Sequence, residues 1–169
     1  MHGLTTTDHA VVDAARVHDR LWVGSHPPVR GHRCFVHHAE VPVPDLVACG
    51  FTTLVLCSSG YQPTDDHFPD MTVVHAPFDD DQSGLDEYQL RMAMGAVEQT
   101  VEAHDAGSCV LVTCTEGRNR SALVAAFALS LIAGISAQEA GEIVREKRGL
   151  GTLTNLAFRE ILATTRLER

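Results

Sequence analysis

Residues 108–133 read SCVLVTCTEGRNRSALVAAFALSLIA, and this stretch decides the fold. Ser108 to Thr113 is a short, strongly apolar run of strand length. Ser121 to Ala133 is apolar nearly all round, as expected of a central helix. Between them lie Cys114-Thr115-Glu116-Gly117-Arg118-Asn119-Arg120. A loop that ends a strand and opens a helix presents backbone N–H groups with no partner inside the helix. The helix dipole adds to them, so the loop is an anion site. Gly117 permits a tight turn and a close approach of backbone to anion. Arg120 supplies a planar fork able to hold two phosphate oxygens.

Cys114 opens this loop, at the centre of the positive field. An ordinary thiol titrates near pH ~8.5, and helix termini and cations bring that to roughly 3.5–7.5. The features that bind phosphate therefore also activate a nucleophile. The Ser121 hydroxyl can reach back to the sulfur and stabilise the thiolate when it leaves. The plainer alternative is a buried strand-end cysteine followed by an ordinary turn. C-x-x-G-x-x-R-S between an apolar strand and an apolar helix is far more specific than a bare Cys and Arg.

Outward from this core, strands alternate with helices. Leu21–Gly24 reads as a short strand ending at glycine. Asp45 is placed to cap a short helix reaching Cys49 and ended by Gly50. Thr52–Cys57 and Met71–Ala76 read as buried strands. Ser83 to Asp86 has the S-x-x-D capping pattern before a helix running to about His104, with Leu90, Met94, Val97 and Val101 as its buried stripe. Ser136-Ala-Gln-Glu139 opens a helix to about Lys147, and Thr154 is placed to cap a last helix through Leu162. The expected fold is α/β, with a central, mostly parallel sheet flanked by helices. In such sheets ligands sit beyond the carboxyl ends of the strands, where residues 114–120 lie.

Composition narrows the function. At 169 residues, 44% hydrophobic and 21% charged, the chain suits one domain that needs no staple. Residues 1–15 are expected to be a tail and 16–169 a single domain. The net charge of −9 disfavours a nucleic-acid or membrane-surface binder, which would carry a basic face. The longest apolar run, Ala122 to Ala133, is too short to span a bilayer. Five scattered cysteines (34, 49, 57, 109 and 114) suggest free thiols and a cytoplasmic protein. His32, Cys34, His37 and His38 lack the paired spacing of a zinc site. Neither a metal nor a cofactor is expected, and no oligomeric state is indicated.

The loop resembles the signature of the dual-specificity (protein-tyrosine-phosphatase-like) phosphatases, H-C-x-x-G-x-x-R-[ST]. Arg20-Leu-Trp-Val-Gly-Ser25 is similar to that family's first strand, and Leu46 to Leu56 to its next helix–strand unit. Arg148 and Asn155-Leu-Ala-Phe158 with Leu162 resemble its closing helix. The resemblance covers about residues 20–165. It implies hydrolysis of phosphomonoesters on proteins through a phosphocysteine. Cys114 is the nucleophile, Arg120 and the amides of Thr115, Glu116, Gly117, Arg118, Asn119 and Arg120 bind phosphate, and Ser121 assists the leaving thiolate. An Asp from a loop some thirty residues upstream is the acid and then the base. Matching Pro77 to the family's strand-end proline favours Asp80, 34 positions before Cys114, with Asp79 and Asp81 as alternatives.

Three departures qualify the resemblance. Thr113 stands where the family has His; its hydroxyl can bond the loop but carries no charge, which predicts slower turnover. A catalytically weak protein that only binds phosphorylated partners is the corresponding alternative. Arg118 adds a second cation, and C-T-x-G-x-N-R resembles the loop of RNA 5′-triphosphatases in the same superfamily. Both hints favour a small or polyphosphorylated substrate such as a phosphoinositide or nucleotide; pairing of Arg118 with Glu116 or another surface acid is the plainer reading. Cys49, Cys57 and Cys109 read as core, and one could form a reversible disulfide with Cys114.

Overall fold

The computed structural model describes residues 12–29 and 44–167. Five strands form one sheet: β1 (Ala14–His18), β2 (Leu21–Ser25), β3 (Thr53–Ser58), β4 (Thr72–Phe78) and β5 (Val110–Cys114). Their spatial order is β1-β2-β5-β3-β4. β2, β5, β3 and β4 run parallel, and only the edge strand β1 is antiparallel, paired to β2. Four helices follow: α1 (Glu87–Asp105), α2 (Arg120–Ala133), α3 (Ala137–Arg148) and α4 (Leu156–Thr164). No single helix among the described residues is long and apolar enough to cross a membrane.

β5 sits at the centre, and all five of its residues are buried. A strand covered on both faces reads as continuous apolar sequence, which is why 109–113 gave no alternation. Val110, Val112 and Cys114 face the core shared with the helices, whereas Leu111 joins a second core with Leu54, Leu56, Phe51, Tyr61 and Phe68. The buried apolar side chains of α1 to α4 belong to the first core. α2 is buried from Ser121 through Ser130. Burial of Leu123, Phe127 and Leu129 contributes about 1.5–3 kcal/mol each. Gly134 ends α2 in the left-handed conformation, at φ 67°.

Several boundaries differ from the sequence reading. Residues 14 and 15, read as tail, belong to the edge strand Ala14–His18; this short segment has little alternation to announce it. Strand β2 does not end at Gly24 but passes through it to Ser25. Asp45 does accept from Ala48 N at 2.9 Å, but a single turn forms there and no helix. α1 is capped by Asp86, which accepts from Gln89 N, and not by Ser83. Its buried face is Ala93, Ala96, Val97, Thr100 and His104, with Leu90 left exposed. Small alanines let the helix lie close to the sheet, so the face rotates away from the larger residues; Met94 and Val101 become its half-buried flanks. α3 starts as expected, with the Ser136 side chain accepting from Glu139 N. α4 is capped by Asn155, not Thr154. His32, Cys34, His37 and His38 lie outside the described residues.

Candidate active site

The loop 115–119 joins the buried end of β5 to the first turn of α2. Gly117 has φ +65°, and a Cβ there would lie 2.2 Å from the Gly24 carbonyl carbon. Gly24 is itself backed by Asp13, whose carbonyl oxygen would be 2.4 Å from a Cβ at 24. The loop is thus seated directly on the β2 backbone, a contact only glycine permits. Behind it, Arg148 donates from Nε to Gly117 O at 3.0 Å and from Nη2 to Glu116 O at 3.2 Å. The same guanidinium grips both oxygens of Asp13 at 2.6 Å. With two carbonyls tied back to Arg148, the loop has its acceptors committed away from the anion site.

Cys114 alternates with Val112 onto the helix side, and its Sγ lies 3.2 Å from Ser121 Oγ, both buried. Asn119 occupies the N-cap of α2, yet its side chain makes no cap hydrogen bond. The first N–H groups of α2 therefore keep the donors that a cap of this residue type would normally satisfy. Arg120 Nη2 donates to Thr115 Oγ1 at 2.8 Å, and Nη1 to Phe78 O at 3.3 Å. Thr115 Oγ1 is 2.8 Å from Ser58 Oγ. Arg120 Nε is buried without a partner among the described residues. An orphaned charged donor is costly unless a ligand completes it. The buried sulfur thus ends β5, and the incompletely bonded guanidinium belongs to the first residue of α2.

The three candidate acids separate by their partners. Asp79 accepts from Ser59 Oγ at 2.7 Å and Gln89 Nε2 at 2.8 Å. Asp81 accepts from the backbone N–H and hydroxyl of Ser83, both at 2.7 Å. Those two bonds, the backbone one foremost, hold its carboxyl below the usual range. Asp80 accepts from Asn119 Nδ2 at 3.0 Å and from Asn155 Nδ2 at 2.8 Å. Among the described residues, it alone of the three bonds to the loop that ends in Asn119.

Other expected site residues fall elsewhere. The Thr113 hydroxyl does not reach the loop; it donates to Val55 O at 2.9 Å on the neighbouring strand. Arg118 makes no ion pair with Glu116 among the described residues. Its Nη1 donates to Leu150 O, and its carbonyl accepts from Leu153 N at 2.9 Å. The Glu116 side chain is exposed, and its carbonyl, not its carboxylate, serves the loop. Cys57 shares the helix-side core with Cys114, whereas Cys49 and Cys109 pack against the other core. Burial, with Cys114 second, pushes the Cys57 thiol well up. Sequence reasoning missed the loop-holding role of Arg148 and the contact of Asn155 with Asp80. Both were noticed only as a resemblance, because each acts across more than thirty residues of sequence.

Solved structures with this architecture include dual-specificity phosphatases. A mouse protein described as a dual specificity phosphatase, solved with zinc tungstate, matches with a TM-score of 0.69 at 27% identity, over 95% of this chain and 90% of that one. Human DUSP28 matches with a TM-score of 0.63 at 25% identity, over 89% and 95%. Tk-PTP in its active form matches with a TM-score of 0.69 over 89% and 94%; at 23% identity that likeness speaks for the fold alone. No family model and no curated protein matches the chain. Fold and neighbours support a phosphatase. Its architecture is that of the small dual-specificity phosphatases, as the loop implied.

Proposed function

We propose that this chain is a cysteine-dependent phosphatase that hydrolyses phosphomonoesters on protein Tyr, Ser or Thr residues through a phosphocysteine. The observation that carries this reading is the Cys114 sulfur, 3.2 Å from Ser121 Oγ in the first turn of α2, a helix with no side-chain cap that opens on the incompletely bonded Arg120. The thiolate attacks phosphorus, and the bond from phosphorus to the ester oxygen breaks. Asp80 gives its proton to that oxygen as it leaves. The amides of 115–120 and Arg120 take up the charge on the equatorial oxygens. Asp80, now a carboxylate, accepts a proton from the water that attacks the phosphocysteine. Ser121 donates a hydrogen bond to the departing sulfur.

Asp80 suits the acid role because Asp79 and Asp81 are turned into bonds away from the loop. Arg118, the chief reason to expect a second phosphate, has its guanidinium directed at the Leu150 carbonyl. That favours a single phosphate over a polyphosphorylated substrate. Hydrolysis of p-nitrophenyl phosphate by wild type and by Cys114→Ser tests the chemistry. Loss of turnover in the variant is expected, and no turnover by either protein would favour a phosphate-binding protein instead. A panel of phosphopeptides, phosphoinositide, nucleotide and sugar phosphate tests the substrate class.

A further inference from the structure

Asn119 joins three parts of the site that are remote in sequence. Its Oδ1 accepts from Thr154 N at 2.9 Å and from Asn155 N at 3.2 Å. Those bonds fix which end of the amide is oxygen, since backbone N–H groups can only donate. The Nδ2 end is thereby turned toward Asp80 Oδ2, at 3.0 Å. Asn155 is fully buried; its Nδ2 donates to Asp80 Oδ1 at 2.8 Å and to Asp81 O at 3.0 Å. Its own Oδ1 is consumed by Phe158 N at the cap of α4. Both oxygens of an otherwise exposed carboxylate are held by neutral amides whose orientations are themselves locked.

We propose that the Asn119 side chain is a positioning residue for Asp80, tethering the proton donor to the phosphate loop, and not a phosphate ligand. This rests on the proposed thiolate and Asp80 chemistry. Asn119 belongs to the same loop as the phosphate-binding amides, so the tether fixes Asp80 relative to the phosphorus and not merely to the surface. An exposed carboxylate without such a tether samples many rotamers, and a misplaced proton donor loses much of its effect.

The test compares wild type, Asn119→Ala, Asn119→Asp, Asp80→Asn and the double variant Asn119→Asp/Asp80→Asn. Substrates are phenyl phosphate, whose poor leaving group needs the proton, and p-nitrophenyl phosphate, whose good one needs it less. Asn119→Asp keeps the acceptor for Thr154 and Asn155 while replacing the donor, so it guards against simple misfolding. Expected are a loss of kcat of between about tenfold and a hundredfold on phenyl phosphate and a smaller loss on p-nitrophenyl phosphate. In the Asp80→Asn background the Asn119 change should add nothing. Equal losses on both substrates, or losses that add to those of Asp80→Asn, overturn the proposal. If Asp80→Asn leaves the leaving-group dependence unchanged, Asp80 is not the donor and the tether has no catalytic meaning. Turnover retained in Cys114→Ser would instead overturn the thiolate chemistry.

Discussion

Arg148 and Asp13, 135 positions apart in sequence, form a two-pronged pair with both N···O distances at 2.6 Å. The guanidinium side chain is only 6% exposed, whereas the carboxylate is 61% exposed. The pair is therefore unequal. Asp13 is an outer clasp, and Arg148 is the buried post to which the carbonyls of Glu116 and Gly117 are tied. Arg148→Ala should cost about 1–3 kcal/mol, because two loop carbonyls lose charge-assisted donors. It should also raise KM for p-nitrophenyl phosphate. Urea unfolding and steady-state kinetics on the same preparation check both.

The same pair sets an acid limit to stability. Hydrogen bonds from Arg148 hold the Asp13 carboxyl below its ordinary value of 3.8. A depressed carboxyl stabilises the fold above its unfolded pKa, and that contribution is lost as pH falls through the lower folded value. The stability difference between wild type and Asp13→Asn should be flat at neutral pH. It should shrink only below about pH 4. Half-exposed pairs are screened, so the neutral-pH difference should be about 1 kcal/mol or less. Denaturation midpoints between neutral and strongly acidic pH measure it.

Gly117→Ala places a methyl 2.2 Å from the Gly24 carbonyl carbon and 2.5 Å from Ser25 N, in a left-handed backbone. The conformation alone costs roughly 1–2 kcal/mol, and the clash lifts the loop from its seat. Turnover should fall more than about a hundredfold, in proportion to a displaced anion site. Thermal unfolding should show the domain still folded at a lower midpoint.

Thr113→Val removes the hydroxyl that serves Val55 O and touches nothing in the loop. The lost buried hydrogen bond should cost about 0.5–1.5 kcal/mol. Turnover should stay within about twofold of wild type, because no hydrogen bond to the phosphate loop is lost. A large fall in kcat at unchanged KM would show that position 113 acts on the thiolate after all.

Among the three aspartates, only Asp80→Asn should abolish acid assistance, lowering kcat about a hundredfold or more. Asp81→Asn should leave kcat near wild type, since that carboxylate is occupied by Ser83. Asp79→Asn should loosen the contacts to Ser59 and Gln89 and act mainly on stability.

The strand–loop–helix unit at 110–133 was readable because its signals are local. Apolar runs set β5 and α2, and Gly117 marks the turn. The cap at Ser136 was readable for the same reason. The caps at Ser83 and Thr154 were misplaced because neighbouring residues offered equally good oxygens. Asp86 and Asn155 prevailed where the chain had to leave the acid loop and meet α1 and α4. The buried face of α1 was misjudged because hydrophobicity favours large residues, while the sheet accepted the small ones, Ala93 and Ala96.

By itself the amino-acid order determined the α/β plan and singled out Cys114 and the loop to Arg120 as the candidate site, since spacing, apolarity and glycine act over a few residues. Tertiary structure alone decided which aspartate faces that loop, where Arg118 points and what holds the loop from behind. Those choices depend on hydrogen-bond partners such as Asp80 with Asn155 and Arg148 with Asp13, which are brought within 3 Å only once the sheet has closed and the helices have packed on it.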